Sequence, residues 1–295
     1  MTESPRKRFI TGPGVVAALD HNPDVAAGAL ERYGVGADVY TTTDEMMCLV
    51  EAFQQRVVAS PAFDGDRVLG VILYERSLKI MIDSLPITRF LWECKGIVSL
   101  LAVGVPLRGE PGAEFMEPIA GLDESLELAK RHRMVGTKSR NVIHRADTEV
   151  IRRIVNQQFE VARRVMAHGL IPIMEPEASL SMDDAERAHA EQILLQAILE
   201  GLGALGADDR VAFKLTIPVQ PGLYSALLAD PRVVRVVALS GGFNQQRACE
   251  ELQKNPGMGS SFSRAFLEGL QADMDDPTFN TTLDSSIARI ATASA

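Results

Sequence analysis

The sequence predicts an α/β fold, a single (β/α)8 barrel, and three observations carry that expectation. Eight short runs rich in Val, Ile and Leu recur along the 295 residues. They are apolar on both faces, as buried parallel strands are, and longer amphipathic runs separate them. Those connections are too long for hairpins and suit right-handed crossovers. A doubly wound open sheet is the alternative, but no GxGxxG follows the first run.

In chain order the expected strands are 15–20 (VVAALD), 68–74 (VLGVILY), 97–103 (IVSLLAV), 135–142 (VGTKSRNV), 171–177 (IPIMEPE), 211–217 (VAFKLTI), 233–240 (VVRVVALS) and a weaker 259–263 (GSSFS). Helices are expected in TTTDEMMCLVEAFQQRVVAS, in ADTEVIRRIVNQQFEVARRVMAHG and in SMDDAERAHAEQILLQAILEGLGALG. The first opens on Thr and Asp. The second has Asp147 as a cap and Gly169 as a stop. No repeat, low-complexity tract or linker divides the chain, so residues 1–295 are read as one domain.

Composition narrows the function. The chain is 46% hydrophobic and 23% charged, with a formal net charge of −9. Beyond PRKR near the start there is no basic run, so nucleic acid and anionic membrane are poor partners. No stretch reaches transmembrane length and the first residues lack an apolar signal region. Cys48, Cys94 and Cys249 stand far apart without a CxxC pair, and the five histidines show no HExxH spacing. Neither a disulfide framework nor a metal site is expected, and the reading is a cytoplasmic protein.

Chemistry concentrates in one residue and its surroundings. Lys214 interrupts the apolar run VAFKLTI. A lone ammonium is costly to bury, and a lysine that sheds its proton becomes a nucleophile toward carbonyls through a Schiff base. The alternative is an ion pair with a strand carboxylate. In a barrel the active site forms at the C-terminal ends of the strands. There the sequence puts Asp20, Lys138, Arg140, Glu175, Glu177, Lys214, Ser240 and Arg264. A strand period of two sets Lys138 with Arg140, and Glu175 with Glu177, on common faces. The loops after strands seven and eight, with Ser240-Gly241-Gly242 and Arg264, suit a phosphate, helped by the N-terminus of the helix begun by NQQRACEEL. Ser240-Gly241-Gly242 alone also reads as a strand-to-helix turn.

These residues, with the motifs GVILYERSL, LWECKGIV, VGTKSRNVI, GLIPIMEPE, FKLTIP, VVALSGGFN and SFSRAFLEGL, resemble class I fructose-bisphosphate aldolases over nearly the whole chain. The resemblance implies a metal-independent lyase that makes or splits a carbon–carbon bond next to dihydroxyacetone phosphate, with no cofactor beyond a lysine Schiff base. It implies that Lys214 forms the imine, that Glu175 moves protons as the carbinolamine dehydrates, and that Glu177 is its partner. Lys138 would act on Lys214 by like-charge repulsion, beside Arg140. Asp20 would hold the amine and assist cleavage. Ser240, Gly241, Gly242, Ser261 and Arg264 would hold the ketose 1-phosphate. A homo-oligomer is left open.

The departures share a direction. Where the family carries a Ser/Thr/Gly-rich segment after the first strand, this chain has His21-Asn22-Pro23-Asp24-Val25-Ala26-Ala27. Where the family has Lys-Val-Asp-Lys after the third strand, it has Ala102-Val103-Gly104-Val105. The C-terminal tyrosine common in the family is absent from IARIATASA. The donor side is kept, and the side that would grip a second phosphate is lost. Each charge-assisted contact is worth roughly 1.5–3 kcal/mol. The expected substrate pair is dihydroxyacetone phosphate and an aldehyde without a terminal phosphate. His21, Asn22 and Asp24 would then meet an ammonium or hydroxyl, as on an amino-acid semialdehyde in a specialised biosynthetic pathway. Asn-Pro-Asp equally reads as a capped turn. The rivals are an ordinary glycolytic fructose-1,6-bisphosphate aldolase and a non-catalytic phosphosugar-binding barrel.

Overall fold

The computed structural model describes residues 3–294. Eight parallel strands follow one another around the sheet in chain order. They are β1 Val15–Leu19, β2 Val68–Leu73, β3 Val98–Val103, β4 Gly136–Ile143, β5 Ile171–Ala178, β6 Val211–Thr216, β7 Val233–Leu239 and β8 Gly259–Ser260. The first seven fall within a residue of the expected bounds at each end. The eighth is two residues long rather than five, because the chain turns away after Ser260. A bond from Ala18 N–H to Phe262 O (3.2 Å) links the first strand to the segment after the last and nearly closes the barrel.

The three expected helices form, and their caps explain where. Thr42 and Glu45 make a reciprocal capping box before Thr43–Ala59. Asp147 accepts from Glu149 and Val150 N–H before Thr148–Ala167, and Asp183 accepts from Glu186 N–H before Asp184–Gly203. Each helix lays its apolar face on the outside of the strands.

Three features lie outside the repeated strand–helix pattern. A helix, Pro5–Thr11, drives Phe9 into the cluster inside the barrel, beside Val16, Leu69 and Val98. Arg235 pins it there by donating to Phe9 O and Gly12 O. An antiparallel hairpin, Leu107–Glu110 with Ala113–Met116, follows β3 and adds to the end of β4 by pairing Ala113 with Ile143. A two-residue ribbon joins Met81–Ile82 to Leu85–Pro86. Among the described residues no helix is long and apolar enough to cross a membrane.

Candidate active site

Alternation along β6 buries Phe213 and Leu215 toward the helices and turns Lys214 into the barrel. Lys214 is not alone there. Its Nζ lies 3.0 Å from Glu175 Oε1. Lys138 Nζ lies 3.0 Å from Glu175 Oε2 and 2.6 Å from Asp20 Oδ2. Arg140 donates to Glu177 Oε2 from Nε and Nη2, at 2.8 and 2.7 Å. Lys214 thus has the strand-carboxylate partner of the ion-pair alternative. Three cations meet three carboxylates, and the like charges of Lys138 and Lys214 are separated by Glu175.

Strand register explains the pairing. Arg140 is the β4 partner of Glu175 in the ladder, and Lys138 is the partner of Ile173. Each cation thus reaches diagonally, two residues further along β5, to a carboxylate on the same inward face.

The electrostatics follow from this packing. Burial alone would raise the Asp20 carboxyl, but Lys138 and then Lys214 outweigh it and hold it well below the usual range. Burial would likewise raise Glu175, and Lys138, Lys214 and Arg140 lower it instead. Burial would lower Lys138, but Asp20 and Glu175 keep it above its ordinary value.

Only three buried side-chain polar atoms lack a hydrogen bond among the described residues: Glu175 Oε2, Ser261 Oγ and the Tyr224 hydroxyl. Such atoms are rare in folded proteins and mark places where a partner is expected. Two of the three sit at positions singled out from the sequence.

The loops after β7 and β8 also converge. Gly241 and Gly242 have φ of 62° and 137°, a region that disfavours side chains. A Cβ on Gly242 would lie 3.4 Å from Arg264 Nη2, so this guanidinium sits against the glycine loop. Arg264 is exposed and makes no ion pair among the described residues, and Ser240, next to Gly241 in sequence, is buried. One expectation is corrected here. The helix Gln245–Leu252 does not offer a free N-terminus, because Gln245 N–H donates to Glu268 (2.7 Å) and Arg247 N–H to Asn244 (2.9 Å).

The run after β1 splits. Asn22 caps the helix Pro23–Arg32, accepting from Asp24 N–H at 3.0 Å, which is the turn reading of Asn-Pro-Asp. His21 is buried, and burial pushes its imidazole down, with Arg32 adding to this and Asp20 opposing it. Its Nε2 lies 3.4 Å from Ser263 Oγ. Asp24 is exposed. The Tyr74 hydroxyl is raised by burial, then by the charges of Glu75 and Asp24.

Sequence reading missed the wall built by the hairpin. His144 Nε2 meets Glu114 Oε1 at 2.8 Å, and Ser181 Oγ approaches His144 Nδ1 at 3.5 Å. Burial would lower the Arg140 guanidinium, but Glu177, Glu175 and also Glu114 hold it charged. The turn residues of RGEPGAEF were the available signal. Ala102 lines the barrel interior and pairs with Lys138 in register. Among the described residues no group of three or more His, Cys, Asp or Glu could hold a metal ion.

Comparison with known proteins bears on this site. No protein-family model matches the chain. A fructose-bisphosphate aldolase class 1 of Synechocystis sp. is 43% identical over 289 residues, covering 98% of this chain and 96% of the relative. Proteins of the same name from Clostridium acetobutylicum and Porphyromonas gingivalis are 39% and 38% identical over 295 residues, each covering 100% of this chain and 99% of the relative. In fold, the chain is similar to the fructose-bisphosphate aldolase of Plasmodium falciparum, solved in complex with TRAP and a small-molecule inhibitor. The TM-score is 0.77 at 17% identity, over 98% of this chain and 92% of that one. The near-complete coverage by the curated relatives places the whole barrel in one family: the chain belongs to the class 1 fructose-bisphosphate aldolases.

Proposed function

We propose that this aldolase joins dihydroxyacetone phosphate to an aldehyde that lacks a terminal phosphate, with Lys214 as the imine-forming residue. Family membership makes the chain an aldehyde-lyase of the class that uses a lysine Schiff base and no metal. The assignment of roles to residues is our reading of the geometry.

In that reading the Lys214 amine attacks the ketone carbon of dihydroxyacetone phosphate. Glu175, 3.0 Å from Nζ, takes a proton from the attacking nitrogen and returns one to the departing hydroxyl as the carbinolamine becomes an imine. The protonated imine draws electrons from the adjacent C–H bond, whose proton passes to the Asp20 carboxylate; the enamine so formed adds to the aldehyde carbon, and the new oxygen takes that proton back. Asp20 is held ionised beside Lys138, and takes the product's hydroxyl proton when the reaction runs toward cleavage. Glu177 fixes Arg140 at the mouth. Ser240, Gly241, Gly242, Ser261 and Arg264 anchor the donor's phosphate, and the unpartnered Ser261 Oγ supports that placement. Anchoring fixes the donor carbon against the amine.

The observation that carries the acceptor reading is the charge of the mouth. Ala102 stands inside the barrel where the family pattern has a lysine, and Arg140 is already paired with Glu177. Glu114 adds negative charge beside Arg140, and Asp24 and Glu75 add it near Tyr74 past the end of β2. Such a mouth repels a second phosphate and suits a neutral or cationic end, as on an amino-acid semialdehyde.

Arg140 favours a second reading. It is the one inward cation on the acceptor side of the named site, and released from Glu177 it would meet a phosphate, as in ordinary fructose-1,6-bisphosphate cleavage. Synthesis assays with dihydroxyacetone phosphate separate the two. The proposal expects kcat/KM for glyceraldehyde or an amino-aldehyde to exceed that for glyceraldehyde 3-phosphate. A preference for the phosphorylated aldehyde overturns it.

A further inference from the structure

The ladder between β5 and β6 pairs only Ala212 with Ile173 and Phe213 with Met174. Lys214 and Glu175 therefore face each other just past the point where backbone pairing stops. Beyond it, side chains take over. Thr216 Oγ1 donates to Ala178 O at 2.7 Å. Arg187, on the helix Asp184–Gly203, donates from Nη1 to Ile217 O at 3.1 Å. Glu191, one turn along, accepts from Val219 N–H at 2.9 Å. Arg187 Nη1 also donates to Glu191 Oε1 at 3.1 Å, which joins the two groups into one clamp.

We propose that the Arg187–Glu191 clamp is a positioning device for the reacting lysine: it holds the end of β6 and so sets the reach of Lys214 to Glu175. The inference rests on Lys214 being the imine-forming residue. Neither clamp residue touches a reacting atom.

A buried ion pair is weak evidence for stability, since apolar residues of similar volume often serve as well. Glu191 is fully buried, and among the described residues Arg187 is its sole ion-pair partner; Arg187 also pairs with Asp184 at 3.0 Å. Asp184 opposes its charge, and the unpartnered Tyr224 hydroxyl also faces it. Burial pushes the Glu191 carboxyl up to about 7, against the pull of Val219 N–H and Arg187. As pH falls through that value the carboxylate gains a proton, its hold on Arg187 weakens, and the clamp loosens.

The test is the rate at which borohydride traps the dihydroxyacetone phosphate imine between pH 6 and 8, in full-length wild type, Glu191→Gln and Asp184→Asn. Glu191→Gln keeps shape and removes charge. Trapping should slow about tenfold or more at pH 8, with KM for the donor nearly unchanged, because small misplacements of reacting groups cost up to about a hundredfold. It should also lose the pH dependence near 7. Asp184→Asn, an exposed change, should move that dependence to lower pH. Trapping on Lys214 at wild-type rates and pH profile in both variants overturns the clamp alone. An adduct on another lysine in the wild type overturns the reading of the site itself, and the clamp with it.

Discussion

Lys214 and Lys138 end on opposite oxygens of one carboxylate, at 3.0 Å each from Glu175 Oε1 and Oε2. The carboxylate neutralises both ammoniums in a buried site, and its Oε2 meets Lys138 as an ion pair rather than as an aligned hydrogen bond. In the proposed mechanism this carboxylate carries the proton between amine and substrate hydroxyl.

Glu175→Gln should retain the barrel and lower kcat by about 10²–10⁴, the usual worth of a positioned acid–base group. Imine trapping by borohydride should slow in step with kcat. Steady-state and trapping rates measured together check this. An unchanged trapping rate would remove Glu175 from the dehydration step.

Acid stability should depend on Asp20. Its folded value is depressed, so its contribution is present above the ordinary carboxylate value near 4 and is lost as pH falls below it. Asp20→Asn should be less stable than wild type at pH 7 by about 3–5 kcal/mol, because Lys138 loses a buried partner. The gap should narrow as pH falls below about 4 and close only below the depressed folded value. Urea midpoints across that range measure it.

Arg264→Ala should raise KM for dihydroxyacetone phosphate by about 10–150-fold, the range of one charge-assisted contact. Arg264 is exposed, so the fold should be unaffected. Thermal unfolding beside initial rates separates the two effects.

Ala102→Lys should shift preference toward phosphorylated aldehydes. The residue lies inside the barrel beside Lys138 in the β3–β4 register, so an added ammonium would project to the acceptor side. The ratio of kcat/KM for glyceraldehyde 3-phosphate and glyceraldehyde should rise about tenfold or more. An unchanged ratio would mean that the missing lysine does not set the acceptor.

Strands β1–β7 were legible because continuous apolar runs bounded by turns leave little choice of element, and the helix starts because Thr42, Asp147 and Asp183 cap them. The shortness of β8 was not legible, since GSSFS has the alternation of a strand and only closure of the barrel bends it away. Nor was the plug by Phe9, because a seven-residue helix carries too little period to assign a face. In the site, residue types and strand faces pointed to Lys138, Arg140, Glu175 and Lys214. The partner of each cation depends on stagger between strands, which sequence periodicity does not contain. Glu191 was hidden for the same reason: it reads as an ordinary helix glutamate until Val219 comes to its side and Ile217 to that of Arg187.

The most direct test is intact mass after incubation with dihydroxyacetone phosphate and borohydride, followed by peptide mapping. The account predicts one donor-sized adduct, on Lys214, absent from Lys214→Met. A folded protein with no adduct, or with the adduct on Lys138, would contradict it.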